Sequence, residues 1–334
     1  MKTVISNARG FDGLTLEERS VPKPDAHQLL LRMRAVSLNF RDIDVVRGAH
    51  GNQDALVPLS DGVGEVVEVG AKVSRFAVGN RVSPTFFPDW IDGQATAEAR
   101  MGRLGWPRDG VLSEYVVVDE HAAVRAPSNL SDVEAATLPC AAVTAWDALF
   151  VSGRVVPGDT VVVQGTGGVS LFALLFAKMA GAQVIVTSSQ RAKLDRALAL
   201  GAAHGIDYRA EPEWDKAVLE LTGGQGADHV VDVAGGEGLT RSIRAARVGG
   251  TVSLAGYVAG RVGQFDLGTA FVRKTTLHPL GVGSRRTFEA LARAIKVHDV
   301  RPVIDSVFPL ERTREAFERL ASGDVFGKVA ISLV

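Results

Sequence analysis

The stretch that most constrains the fold is Thr160 to Ser189, TVVVQGTGGVSLFALLFAKMAGAQVIVTSS. A β-branched run ends in a cluster of glycines, a helical pattern follows, and a second β-branched run closes the unit. Gly165, Gly167 and Ser170 keep the G-x-G-x-x-G/A spacing, with Gly168 as a further small residue. Glycines let the backbone turn tightly and approach a pyrophosphate, while a helix N-terminus aims N–H groups and its positive dipole end at that charge. Val169, Phe172, Ala173, Phe176 and Ala180 fall on one helical face, so the context is strand, turn, helix, strand, as a dinucleotide site requires. A glycine turn without a ligand is the plainer alternative, and this context disfavours it.

The end of the second strand bears on which dinucleotide is held. An Asp or Glu there accepts hydrogen bonds from ribose hydroxyls and favours NAD. This chain has Thr187, Ser188 and Ser189 instead, followed by Arg191 and Lys193. Hydroxyl donors near cations suit a 2′-phosphate, which a carboxylate would repel, so the residues favour NADP over NAD.

The rest of the chain divides in two. Up to about Glu120, runs such as QLLLRMRAV, GEVVEVG and VLSEYVVVD alternate with Gly- and Pro-rich turns, the pattern of a mainly antiparallel β domain. SDVEAATLPCAAVTAWDALF then opens a helix at a Ser131 cap. Beyond it, TVVVQG, QVIVTS, HVVDVAG, TVSLAG and TLHPLGVG alternate with helices that include 191–200 and RSIRAAR. Strict alternation predicts an α/β domain with a doubly wound parallel sheet. The tail predicts two more helices and a final strand that returns to the first domain. With 334 residues, 46 % of them hydrophobic, the chain can fill two cores. Its 37 basic and 38 acidic side chains leave a net charge of −1 and no basic tract, which argues against nucleic acid as a partner. The N-terminus lacks signal-peptide order and no apolar run is long enough for a membrane, so a soluble, cytoplasmic protein is expected.

Together, PGDTVVVQGTGGVSLFALLFAKMAGAQVIVTSS, LPCAAVTAWDALF, VSLNFRDIDVVRG, PLSDGVGEVVEVGAKVSRFAVGNRV and FGKVAISL resemble the medium-chain dehydrogenase/reductase superfamily, in its zinc-free, quinone oxidoreductase-like branch. The resemblance spans nearly the whole chain. It implies a GroES-like β domain from residues 1–124 and 284–334, a Rossmann domain from 125–283, a cleft holding NAD(P)H, and a homodimer or homotetramer. It also implies that Gly165, Thr166, Gly167, Gly168 and Val169, with Ser170, meet the pyrophosphate. Ser188, Ser189, Lys193 and Tyr208 hold the 2′-phosphate, and Lys328 lies near the cofactor.

Zinc-dependent relatives use a Cys, a His and a Cys at positions that correspond here to Asn39, Ser60 and Cys140. Cys140 is the sole cysteine, so no metal site and no zinc are expected. Without zinc to stabilise an alkoxide, conjugated acceptors become the plausible substrates, because an enone or quinone spreads the incoming charge and needs one well-placed donor. Candidates for catalysis are Asn39, Arg41 and Ser60, with Tyr257 as a possible acid. Asn39 suits donation to a substrate oxygen, and Arg41 an oxyanion or a cofactor phosphate. Asp42 and Asp61 read as turn caps or partners of cations. Phe86, Phe87, Trp90 and Trp106 form an aromatic segment fit to wall a small hydrophobic carbonyl or quinone. Three readings follow: a zinc-independent NADPH-dependent reductase of quinones or α,β-unsaturated carbonyls, a zinc-free alcohol dehydrogenase or ketone reductase, and an NADPH-binding protein without turnover.

Overall fold

The computed structural model describes residues 1–51 and 55–334. The chain forms two units, Met1–Val143 with Val282–Val334, and Thr144–Gly281.

The first unit is built on the strand Gln28–Ser37, whose Leu29, Leu31, Ala35 and Val36 are fully buried. It pairs antiparallel with Asp61–Val69, Tyr115–Asp119 and the C-terminal strand Lys328–Ser332, so strands from both segments of the unit share one seven-stranded sheet. Ser37 lies opposite both Asp61 and Ala330. That register brings the start of Asp61–Val69, the start of Lys328–Ser332 and the residues just after Ser37 to one end of the sheet.

The second unit carries a six-stranded, all-parallel sheet in the order His204–Asp207, Gln183–Ser188, Thr160–Gln164, Ala227–Asp232, Ala246–Leu254, Thr276–Pro279. The strand order reverses between Thr160–Gln164 and Ala227–Asp232. In doubly wound sheets ligands bind at the carboxyl ends of the strands flanking such a reversal, and the Gly165 turn stands there. The near-continuous Val and Ile of Val161–Val163 and Val184–Val186 are buried on both faces of the sheet, as parallel strands require. The antiparallel-plus-doubly-wound architecture expected from the sequence is the one observed.

Segment 125–143 departs from the expected boundary. Its helix Asp132–Ala136, capped by a Ser131–Glu134 capping box, packs on Gln28–Ser37, Asp61–Val69 and Lys328–Ser332 of the first unit. The apolar Ala135, Ala136 and Leu138 are fully buried. The predicted single helix is broken into short α-helical pieces and wider turns at Leu138–Ala142 and Asp147–Val151. Pro139, which lacks an N–H and crowds the preceding turn, stands in the first of these wider turns. Among the elements without a strong sequence signal are the strands His204–Asp207 and Ile304–Pro309 and the helices Trp214–Leu221 and Leu267–Arg273. Among the described residues no helix is long and apolar enough to cross a membrane.

Candidate active site and cofactor cradle

In the second unit, Gly165 adopts φ +72°, a conformation that side chains disfavour. Its N–H donates to the Thr187 carbonyl at 2.8 Å, tying the turn to the neighbouring strand. A Cβ added at Gly167 would meet nothing within 4 Å, so the space beside it is open for a ligand. The helix Gly168–Met179 starts at that point, and its first-turn N–H groups have no intrahelical partner. Ser170, at the third position of the motif, is buried and donates to the Gln164 carbonyl at 2.7 Å, fastening helix to strand. Thr166 is buried within the turn.

Ser188 ends the second strand opposite Asp207, and the Tyr208 N–H donates to the Ser188 carbonyl at 3.0 Å. Ser189 is half-buried, Lys193 is buried in the first turn of the helix Arg191–Leu200, and Tyr208 is exposed. The expected phosphate residues thus collect at the carboxyl ends of two adjacent strands. Arg191 turns outward to pair with Asp195 at 2.9 Å.

Two features went unread in the sequence. Asp207 supplies a carboxylate one strand over from Ser188, where it accepts from the N–H groups of Arg209 and Ala210. The fully buried Asp232 accepts from Ser242 Oγ at 2.7 Å and from the N–H groups of Ala234 and Gly235 at 2.9 Å each. Ser242 Oγ in turn accepts from Gln164 Nε2 at 2.7 Å. This network fixes the loop on the other side of the strand-order reversal. Its signal was an aspartate ending a β-branched run three residues before a glycine pair, in VVDVAGG.

In the first unit, the sheet end described above holds a buried polar cluster. Lys328 Nζ donates to the Leu38 carbonyl at 2.6 Å and to Asn39 Oδ1 at 2.5 Å, and lies 4.0 Å from Asp61 Oδ2. Asp61 accepts from Ser60 Oγ at 2.7 Å and from the Cys140 N–H at 3.0 Å. The Asn39 N–H donates to Asp42 Oδ2 at 2.7 Å, capping the short helix Phe40–Val46. Asp42, Ser60, Asp61 and Lys328 are at most 3 % exposed. Burial pushes the Asp61 carboxyl up against the pull of Lys328, and pushes the Cys140 thiol up as well, so Cys140 is a neutral, poorly nucleophilic thiol.

Burial likewise pushes Asp42 up to about 6, opposed by Arg41. A carboxyl whose pKa is higher folded than unfolded stabilises the fold at low pH, and that contribution is lost as pH rises from about 4 through 6. Between pH 4 and pH 7 the wild type should lose about 2 kcal/mol from this group. Asp42→Asn should flatten that part of the profile, as urea unfolding at a series of pH values would read. An unchanged slope would mean that Asp42 does not titrate in this window.

The remaining candidates are engaged differently from the expectation. Arg41 donates to the Leu104 and Trp106 carbonyls at 3.0 and 3.4 Å and stacks over Phe86, which makes it a clamp on the aromatic segment. Phe86 and Phe87 are packed inside, edge to face at 4.7 Å; Trp90 and Trp106 stay half-buried. Tyr257 follows the strand Ala246–Leu254 in the second unit, with the Arg261 guanidinium over its ring.

The donor set around Asn39 does not fit zinc. Asn39 Oδ1 is taken by an ammonium, the Ser60 hydroxyl donates to Asp61, Cys140 is held neutral, and the Lys328 charge would repel a dication. Among the described residues no three His, Cys, Asp or Glu side chains group as metal ligands.

With that geometry in view, the alcohol dehydrogenase GroES-like domain family matches residues 25–128, and the zinc-binding dehydrogenase family matches residues 168–296. A zinc-type alcohol dehydrogenase-like protein of Schizosaccharomyces pombe is 42 % identical over 97 % of this chain and 96 % of its own. A chloroplastic quinone-oxidoreductase homolog of Spinacia oleracea is 28 % identical over 96 % and 94 %. Among solved structures, a Sinorhizobium meliloti 1021 protein labelled an alcohol dehydrogenase superposes with a TM-score of 0.94 at 44 % identity, covering 99 % of this chain and 98 % of that one. An NAD-dependent alcohol dehydrogenase superposes at 0.91 with 33 % identity over 100 % of both chains. A GroES-like sheet domain with a doubly wound nucleotide domain defines a pyridine-nucleotide oxidoreductase. The chain belongs to the medium-chain dehydrogenase/reductase superfamily and is an NAD(P)H-dependent oxidoreductase.

Proposed function

We propose that this oxidoreductase is zinc-independent, uses NADPH, and reduces quinones or α,β-unsaturated carbonyl compounds. The observation that carries the reading is the buried Lys328 ammonium, bonded to Asn39 and paired with Asp61, at the positions that correspond to the metal ligands of zinc-dependent relatives. Without a Lewis acid, a simple alkoxide has no stabilising partner, whereas an enolate or hydroquinone delocalises its charge and is served by hydrogen-bond donors.

NADPH, when bound, supplies hydride. Gly165, Thr166, Gly167, Gly168 and Val169 would cradle its pyrophosphate, and Ser188, Ser189, Lys193 and Tyr208 would hold its 2′-phosphate. Asn39 donates to the substrate oxygen, and the half-buried Trp90 and Trp106 offer apolar surface to a flat substrate. Ser60 spends its proton on Asp61 and stabilises that carboxylate. A homodimer or homotetramer is part of the reading. Leu267, Phe271 and Val272 are 73–87 % exposed on the helix Leu267–Arg273, which leads into the edge strand Thr276–Pro279, and a second copy would cover them.

Ketone reduction or alcohol oxidation is the second reading, favoured by the names of the Schizosaccharomyces and Sinorhizobium relatives. Steady-state rates with cyclohexenone, cyclohexanone and 1,4-benzoquinone separate the two. We expect kcat/KM for the enone and the quinone to exceed that for the saturated ketone at least 100-fold, with NADPH preferred over NADH. Equal rates for enone and ketone would move the assignment to the alcohol dehydrogenase reading.

A further inference from the structure

We propose that Lys328 is the positioning residue of this site: its ammonium sets the orientation of the Asn39 amide so that the amide nitrogen is presented to the substrate oxygen. The inference rests on the proposed role of Asn39 as that donor.

Three observations lead to it. First, the register extends beyond the paired residues. The Leu38 N–H donates to the Val329 carbonyl at 3.0 Å, so Lys328 stands beside Leu38 and Asn39 and reaches both with hydrogen bonds at 2.6 and 2.5 Å. Second, an ammonium has donors and no acceptor, so only the amide oxygen of Asn39 can face it. The contact therefore selects one of two amide orientations that are nearly equal in shape. Third, Asn39 Nδ2 is shielded from solvent and forms no hydrogen bond of full geometry; the Asp61 carboxylate is its acceptor neighbour, which leaves one of its two N–H groups for a ligand. A buried donor left unpaired is costly, and such donors are retained where a ligand supplies the acceptor. The lysine is itself held by charge, with Asp61 Oδ2 at 4.0 Å, and Asp61 is fixed by Ser60 and Cys140. A cation clamped from several segments is a rigid support for one amide, as a site that needs sub-ångström placement requires.

This role differs from contact with the cofactor, and a double-mutant cycle distinguishes them. Asn39→Ala, Lys328→Met and the double variant are compared with the wild type, using whichever acceptor (enone, quinone or ketone) the wild type reduces best. If Lys328 acts through Asn39, each single variant should lose about 100-fold in kcat. The double variant should lose about the same 100-fold, with KM for NADPH unchanged within twofold, and Lys328→Arg should recover kcat to within about tenfold of wild type. A kcat for Lys328→Met within threefold of wild type would overturn the proposal. So would losses that multiply to about 10,000-fold in the double variant, or a rise in KM for NADPH at constant kcat, which would make Lys328 a cofactor contact. Should Lys328→Met not fold because Asp61 is left without a counter-charge, the same cycle is run in an Asp61→Asn background. A wild type that reduces the ketone and not the enone removes the quinone and enone reading alone, because the cycle then reports on Lys328 with the ketone.

Discussion

Asp61→Ala should lower the stability of the first unit by about 3–5 kcal/mol, the largest effect we expect from a single side chain in this cluster. The carboxylate is fully buried, accepts from Ser60 Oγ and the Cys140 N–H, and lies 4.0 Å from the Lys328 ammonium. Truncation leaves a buried cation without its counter-charge and two donors without an acceptor, and each of these costs free energy that water cannot return. Removing the charge at both ends is different. Asp61→Asn combined with Lys328→Met retains the volume without the ions, and its loss should be smaller than that of Asp61→Ala. Urea unfolding followed by circular dichroism measures both. A loss below 1 kcal/mol for Asp61→Ala would mean that water or a rearranged partner already satisfies Lys328.

Ser188→Asp should reverse the choice of cofactor. Ser188 ends its strand opposite Asp207, and its hydroxyl accepts from the Gln190 N–H at 3.4 Å, a bond that a carboxylate can also accept, so the substitution should fold. A second carboxylate at this corner would repel a 2′-phosphate by about 3–4 kcal/mol at an effective dielectric near 20, while accepting from the ribose hydroxyls of NADH. The ratio of kcat/KM for NADPH over NADH should therefore fall at least 100-fold, since each 1.4 kcal/mol is a factor of ten. A ratio unchanged in the variant would place the 2′-phosphate away from Ser188, and it would turn attention to Asp207 as the residue that already reads the ribose.

The nucleotide unit was legible because its determinants are local: glycines at fixed spacing, β-branched runs of period one, and a helix face of period 3.6 all lie within a short span. The cluster around Lys328 was only partly legible. Asn39, Ser60 and Asp61 were recognised as polar residues near a resemblance motif, but their partner lies at the far end of the chain. Only the antiparallel pairing of Gln28–Ser37 with Lys328–Ser332 brings it there. A lysine opening the strand KVAIS and an aspartate opening DGVGEVVEV, each followed by apolar residues, were the available signals. Opposite charges at the mouths of buried strands are costly unless they meet. The structural contacts of Arg41 were illegible for a related reason: the carbonyls of Leu104 and Trp106 come within its reach only once the aromatic segment has folded back. The segment 125–143 was assigned to the neighbouring domain because its alanine- and leucine-rich texture matches the helices that follow it, whereas packing is decided by which sheet offers the apolar surface.

The zinc-independent reading holds that turnover needs no metal, with the buried Lys328 ammonium standing among the residues that correspond to the zinc ligands of relatives. Its most direct test is the rate of NADPH oxidation at 340 nm with a conjugated acceptor, after dialysis against a strong chelator and with bound metal counted by mass spectrometry. The account predicts full activity at less than about one metal per ten chains, and no gain when zinc is returned. Activity that disappears with the metal and comes back with zinc would contradict it.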